Sequence, residues 1–127
     1  MSYAQRHTVS LTTTTGGAAT EYTPPVTGRV LYVRYNKTDF ANGVDFAVTT
    51  ELTGQNVWTE SDVNSAKTVY PVAYANTVLG VQLTASGALL TSGSAEFAPI
   101  VAANERVKIV IAQGGNTKAG SFDVVVQ

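Results

Sequence analysis

GRVLYVRY, residues 28–35, is rich in β-branched and aromatic side chains and reads as a strand. Side chains alternate between the two faces of a strand. Val30, Tyr32 and Arg34 therefore fall on one side and Leu31, Val33 and Tyr35 on the other. Both faces carry large apolar or aromatic groups, where a half-exposed sheet carries a clean apolar/polar alternation. A second layer has to cover the second face, supplied by the chain's other strands or by another protein.

Strand signals continue on both sides of this segment. Upstream, Val9 and Leu11 alternate with Thr8, Ser10 and Thr12, and the turn pair Gly16-Gly17 follows. ATEYT comes next, and Pro24-Pro25 stops the ladder because proline has no N–H to donate. Downstream, DFANG supplies an Asn-Gly turn. It leads into VDFAVTTEL, where Phe46, Val48 and Thr50 share a face, and the strands around DFANG are expected to form a hairpin. Ser61 is placed to cap a short turn over Asp62 to Ala66, after which TVYPVAY is extended.

Residues 75–95 are rich in small side chains and fit either a strand over Val78 to Leu83 with a turn, or a projecting loop. EFAPIVA reads as a short strand or an edge. RVKIVIAQGG sets Val107, Ile109 and Ile111 against Arg106 and Lys108, and SFDVVVQ aligns Phe122, Val124 and Val126. These last two segments are expected to form a terminal hairpin. No segment has the i, i+3, i+4, i+7 apolar spacing of a helix, and no repeat of constant period occurs. The expected fold is all-β: one sandwich domain over residues 1–127, jelly-roll-like, with about eight short strands. Residues 1–7 are expected to form a flexible arm ahead of it.

Composition narrows the function. The chain has 127 residues, no cysteine and a net charge of −1. Disulfides, thiolate metal sites and a cysteine nucleophile are excluded. A nucleic-acid partner calls for a basic stripe, which is missing. Apolar runs fall far short of the roughly 20 residues that span a bilayer, so no membrane partner is expected. The first residues lack the charged and apolar regions of a secretory leader. Charged residues make up 13% of the chain, where about 25% is usual. Thr and Val occur 18 times each. A surface low in charge and rich in threonine suits a protein packed into an assembly.

Catalytic and metal motifs are missing from the sequence. His7 is the only histidine, lies close to the N-terminus and has no G-x-S-x-G elbow to serve. Asp39, Asn42 and Asp45 surround a glycine but not in the calcium-loop order, and they are read as turn formers. Nothing in the spacing of Asp39, Asp45, Glu51, Glu60 and Asp62 places two of them across a cleft. No phosphate loop or nucleotide fingerprint is present. The expectation is a non-enzyme without cofactor or metal.

The aromatic residues offer two readings. Tyr22, Tyr32, Tyr35, Tyr70, Tyr74 and Trp58 suit either a sugar-binding surface or packing. Packing is preferred, since Tyr32 and Tyr35 fall on opposite faces of one strand. Interface candidates are Tyr3 and Arg6 in the arm, Arg29, Tyr32 and Arg34 on the central strand, and Trp58 and Tyr70 as aromatic anchors.

TGRVLYVRYNKTDFANGVDFAVTTELTGQNVWTESDVNSAKTVYP and ANERVKIVIAQGGNTKAGSFDVVV together resemble a group of small β-rich virion proteins of tailed bacteriophages. The shared outline is a threonine-rich first strand, a strand GR(V/I)L, then TDFA-x-GVDF, TGQN-x-WTE and a final RVKIVIAQGG-x-TK-x-G, with x any residue. It weakens between residues 75 and 97. The resemblance implies a capsid decoration, or cement, protein on the virion surface, made in the host cytoplasm. Its expected partners are the major capsid protein and its own copies, as a dimer or trimer. A tail-side or host-adhesion module that binds cell-surface carbohydrate is the alternative.

Overall fold

The computed structural model describes residues 3–74 and 97–127. The described residues contain eleven strands: β1 (Gln5–Thr12), β2 (Ala19–Tyr22), β3 (Val26–Asn36), β4 (Val44–Thr50), β5 (Asn56–Val63), β6 (Lys67–Val69), β7 (Val72–Tyr74), β8 (Phe97–Pro99), β9 (Val101–Glu105), β10 (Val107–Ala112) and β11 (Ala119–Val126). One sheet, here sheet A, has the order β1-β11-β3-β6, and β9 pairs with the first part of β3. Sheet B has the order β2-β10-β4-β5. Strands β7 and β8 form a small ribbon of their own. The chain changes sheets at almost every sandwich strand, and this order is that of a jelly roll. The stretch read as a strand over 78–83 or a projecting loop lies outside the described residues.

Two expected hairpins are crossings between sheets. β3 belongs to sheet A and β4 to sheet B, although Asn42-Gly43 does make a turn between them. The loop carries Phe40, only 2% exposed, into the interior. A loop that lowers an aromatic ring between the layers leads the chain from one layer to the other. The terminal pair behaves alike: β10 lies between β2 and β4, and β11 between β1 and β3. The corner loops bond to one another. Thr13 Oγ1 donates to the Gly115 carbonyl at 2.6 Å and accepts from Lys118 N–H at 2.8 Å. Gly114 N–H donates to Gly17 O, and Ala41 N–H to Gly114 O, both at 2.9 Å.

The central strand corrects the expected alternation. Val125 pairs with Tyr32 but Val126 pairs with Val30, so Leu31 is an extra, bulged residue. The bulge resets the phase. Val30, Val33 and Tyr35 all enter the core, while Tyr32 and Arg34 face outward. Sheet B covers the inner face, and the outer face is less apolar than strict alternation implies.

Two other expectations are corrected. Gln5, Arg6 and His7 are not a loose arm; they pair with Val126, Val125 and Val124 in β1. Ser61 does not cap a turn, because β5 runs through to Val63 with a positive φ of 58° at Asp62.

The core centres on an aromatic cluster. Tyr35 lies 5.2 Å from Phe122 and 5.3 Å from Phe46, and Phe46 lies 4.6 Å from Trp58, centroid to centroid. Trp58, expected as an interface anchor, is 7% exposed and belongs to this core. It pairs with Val48 on the inner side of sheet B, and its Nε1 donates to Glu60 Oε1 at 3.0 Å. The tip of the indole thus meets a polar partner while the rings pack inside.

The Tyr35 hydroxyl is buried and has no hydrogen-bond partner among the described residues, and burial raises its pKa. An unsatisfied buried hydroxyl costs about 1–3 kcal/mol. Tyr35→Phe is therefore expected to raise the melting temperature. A clear fall would show that the hydroxyl has a bound partner, such as an internal water.

Candidate functional site

The strand register lays out the outer face of sheet A in rows. The first row runs Arg6, Val125, Tyr32; the second Thr8, Asp123, Arg34, Thr68; the third Ser10, Ser121, Asn36. Hydrogen bonds tie the rows together. Thr8 Oγ1 donates to Asp123 Oδ1 at 2.7 Å, and Asn36 Nδ2 to Asp123 Oδ2 at 3.2 Å. Arg34 donates to Asn36 Oδ1 at 3.0 Å and to Thr68 Oγ1 at 2.9 Å. The network spans four strands and satisfies itself. Tyr70 follows β6 and places its ring 5.9 Å from that of Tyr32, tilted by 58°.

The fold therefore brings Tyr32, Arg34 and Tyr70 onto one face, with Arg6 in the same sheet beyond Val125. Tyr3 is exposed just ahead of β1. Arg29 is separate. It is exposed on the part of β3 that pairs with β9, and its backbone exchanges two 2.9 Å hydrogen bonds with Gln127. Trp58 joins none of these, since it is in the core.

A second surface was missed in the sequence reading. In residues 97–102, Phe97, Pro99 and Val101 are exposed while Ile100 and Ala102 are buried. The solvent side of this short stretch is apolar throughout. The signal in the sequence was an unbroken apolar run from Phe97 to Ala102, which leaves a strand no polar residue for its solvent side. An open cleft of about 520 Å³ lies beside it, lined by Gln55, Asn56, Val72, Ala73, Phe97 and Ile100. Leu52, 74% exposed, stands on the neighbouring turn between β4 and β5.

That turn is held by a buried acid. Glu105 accepts from the N–H groups of Leu52 at 3.0 Å and Thr53 at 3.1 Å, and from the Thr53 hydroxyl. Burial pushes the Glu105 carboxyl up, but these donors outweigh it and the pKa is lowered. Arg106 lowers that of Glu51, against which it forms a salt bridge, while stacking over the Tyr22 ring at 4.0 Å. Lys67, 2.8 Å away, lowers that of Glu60.

All three carboxyls have folded pKa values below their unfolded ones. Their contribution is complete above the unfolded pKa and is lost as pH falls through the folded values. The urea midpoint is expected to hold at neutral pH and to fall once the pH drops below the ordinary carboxylate range, about 4. Glu105→Gln is expected to lower the neutral-pH midpoint and shrink the acid fall. A midpoint flat from neutral pH into acid would contradict this coupling.

Among the described residues no group of three or more His, Cys, Asp or Glu side chains is placed to hold a metal. Asp39 accepts from Ala119 N–H and Asn42 from Lys37. His7 sits in β1 opposite Val124.

No family model matches the chain. Neither a curated protein nor a solved structure matches it. The surfaces described above therefore carry the functional argument.

Proposed function

We propose that the protein is a non-enzymatic structural component of a tailed-phage virion, a capsid decoration protein that binds between subunits of the major capsid protein and stabilises the head. The observation that carries this reading is the apolar row Phe97, Pro99 and Val101, beside Val72 and Leu52, on a sandwich whose own core is already filled. A rigid closed body with an apolar end is suited to wedging into a seam between other proteins. Burying such side chains contributes about 25 cal/mol per Å². Many copies on a lattice add weak contacts together. The resemblance of the GRVL, TDFANGVDF and RVKIVIAQGG segments to phage virion proteins supports the same assignment, as does the 13% charge content.

The test is attachment of the purified protein to expanded phage heads that lack it, followed by heating. Saturating binding at a fixed ratio to the capsid protein is expected, together with a rise in the disruption temperature. Val101→Asp is expected to abolish attachment while the variant stays folded. Heads that neither bind the protein nor gain heat resistance would overturn the reading.

One observation favours the alternative, a tail-side or host-adhesion module. Tyr32 and Tyr70 are neighbours on one face with Arg34 beside them, and such groups contact sugars. Glycan binding lost in Tyr70→Ala, with few copies per virion, would select that reading over decoration.

A further inference from the structure

Strand β1 is the outermost strand of sheet A, and its eight residues pair with β11 without a register break. No strand pairs with its other side among the described residues. Thr13 N–H donates to Lys118 O at 2.8 Å, which fixes the alternation along the strand. His7, Val9 and Leu11 turn their backbone groups toward β11. Arg6, Thr8, Ser10 and Thr12 turn theirs outward.

Three other edge strands are protected. β6 has three residues. β2 has four, and Pro24-Pro25 follows it closely. β5 is broken by register shifts at two places and by the positive φ of Asp62. Short length, proline and bulges are the usual defences against edge-to-edge pairing. β1 has none of them. It contains no proline, glycine or lysine, and its one formal charge is Arg6.

We propose that β1 is a self-association edge, on which β1 of a second copy pairs antiparallel about a two-fold axis through Val9. This goes beyond the decoration reading and does not depend on it. The occupant follows from self-complementarity. With Val9 opposite Val9, Thr8 faces Ser10 and Arg6 faces Thr12 in hydrogen-bonding positions. All four outward residues of each chain are then used. His7 meets Leu11 on the core side, so like faces merge. Each Arg6 lies opposite a threonine, and no like charges meet across the seam. The two A sheets become one continuous sheet, the isologous contact that two-fold symmetry requires.

The test uses the full chain, which has no cysteine of its own. Light scattering is expected to give a dimer. Val9→Cys places one thiol per chain on the axis, in a non-hydrogen-bonded pair about 4.5 Å apart between Cα atoms, inside disulfide range. It is expected to oxidise to a covalent dimer, whereas Leu11→Cys, facing His7, is not. Ser10→Pro removes an outward N–H and leaves the β11 ladder intact. It is expected to weaken association about tenfold or more, the loss of a hydrogen-bonded pair. Wild-type amide exchange gives a check that needs no variant, with slow exchange expected at Thr8, Ser10 and Thr12. A monomer at every concentration, an odd-numbered oligomer, or a dimer in which Val9→Cys does not cross-link would overturn the proposal.

Discussion

Replacing Phe122 with alanine is expected to lower the unfolding free energy by about 3–5 kcal/mol, the cost of deleting a buried phenylalanine and leaving its cavity. Phe122 is fully buried, with Tyr35 at 5.2 Å, Phe46 at 5.0 Å and Trp58 at 6.3 Å, centroid to centroid. It is the one ring of sheet A's strand β11 that touches aromatic residues from both sheets. A domain holds only about 5–15 kcal/mol in total, so this variant should lie close to the folding threshold. Urea unfolding measures the loss. Trp58 emission should shift to longer wavelength as water reaches the vacated space. A loss below about 1 kcal/mol would show that the neighbours collapse to refill the site.

The second large effect is expected at Gly120. A Cβ built there lies 2.5 Å from Cε2 and 2.7 Å from Cδ2 of Phe40. Those atoms belong to a rigid ring, not to the end of a flexible chain. The ring cannot retreat easily. Phe40 stacks on Tyr35 at 6.1 Å, and flanking backbone bonds from Asp39 to Ala119 and from Ala41 to Gly114 hold its loop. Gly120→Ala is therefore expected to cost about 1–3 kcal/mol through overpacking, and Gly120→Val more. Combining Gly120→Ala with Phe40→Leu should cost less than the sum of the two, as expected for residues in contact. Strict additivity would show that the clash is relieved elsewhere.

The proposed surfaces lie on opposite sides of sheet A. The self-association edge is β1, while β6 and the β7–β9 segments follow the other margin. A pair joined through β1 would carry two apolar ends facing away from each other. On a lattice each pair could then bridge two seams, and two linked contacts hold better than two separate ones.

Strand positions were legible because they rest on local chemistry. Alternation in residues 107–111 and 122–126 identified buried faces that the structure bears out, and Pro24-Pro25 ended β2 as proline must. The pairing of strands was not legible in the same way. Asn42-Gly43 does turn the chain, but a turn between sheets and a turn within a hairpin use the same residues. What separated them was Phe40, whose burial needs both layers in place. The candidate site was legible only in part. Tyr32, Arg34 and Tyr70 do share a face, yet Trp58 does not, because the exposure of an aromatic residue depends on partners far away in sequence.

An all-β chain of short strands, with its strand cores in place, can be read from the residues alone, since side-chain period and turn chemistry act within a few residues. Long-range packing assigned each strand to its sheet. It also decided where the Leu31 bulge reversed the faces of β3, and which apolar side chains were left outside. Those outcomes depend on contacts between distant segments. One extra residue in a ladder exchanges inside for outside, and nothing local to GRVLYVRY records that its partner strand skips a step.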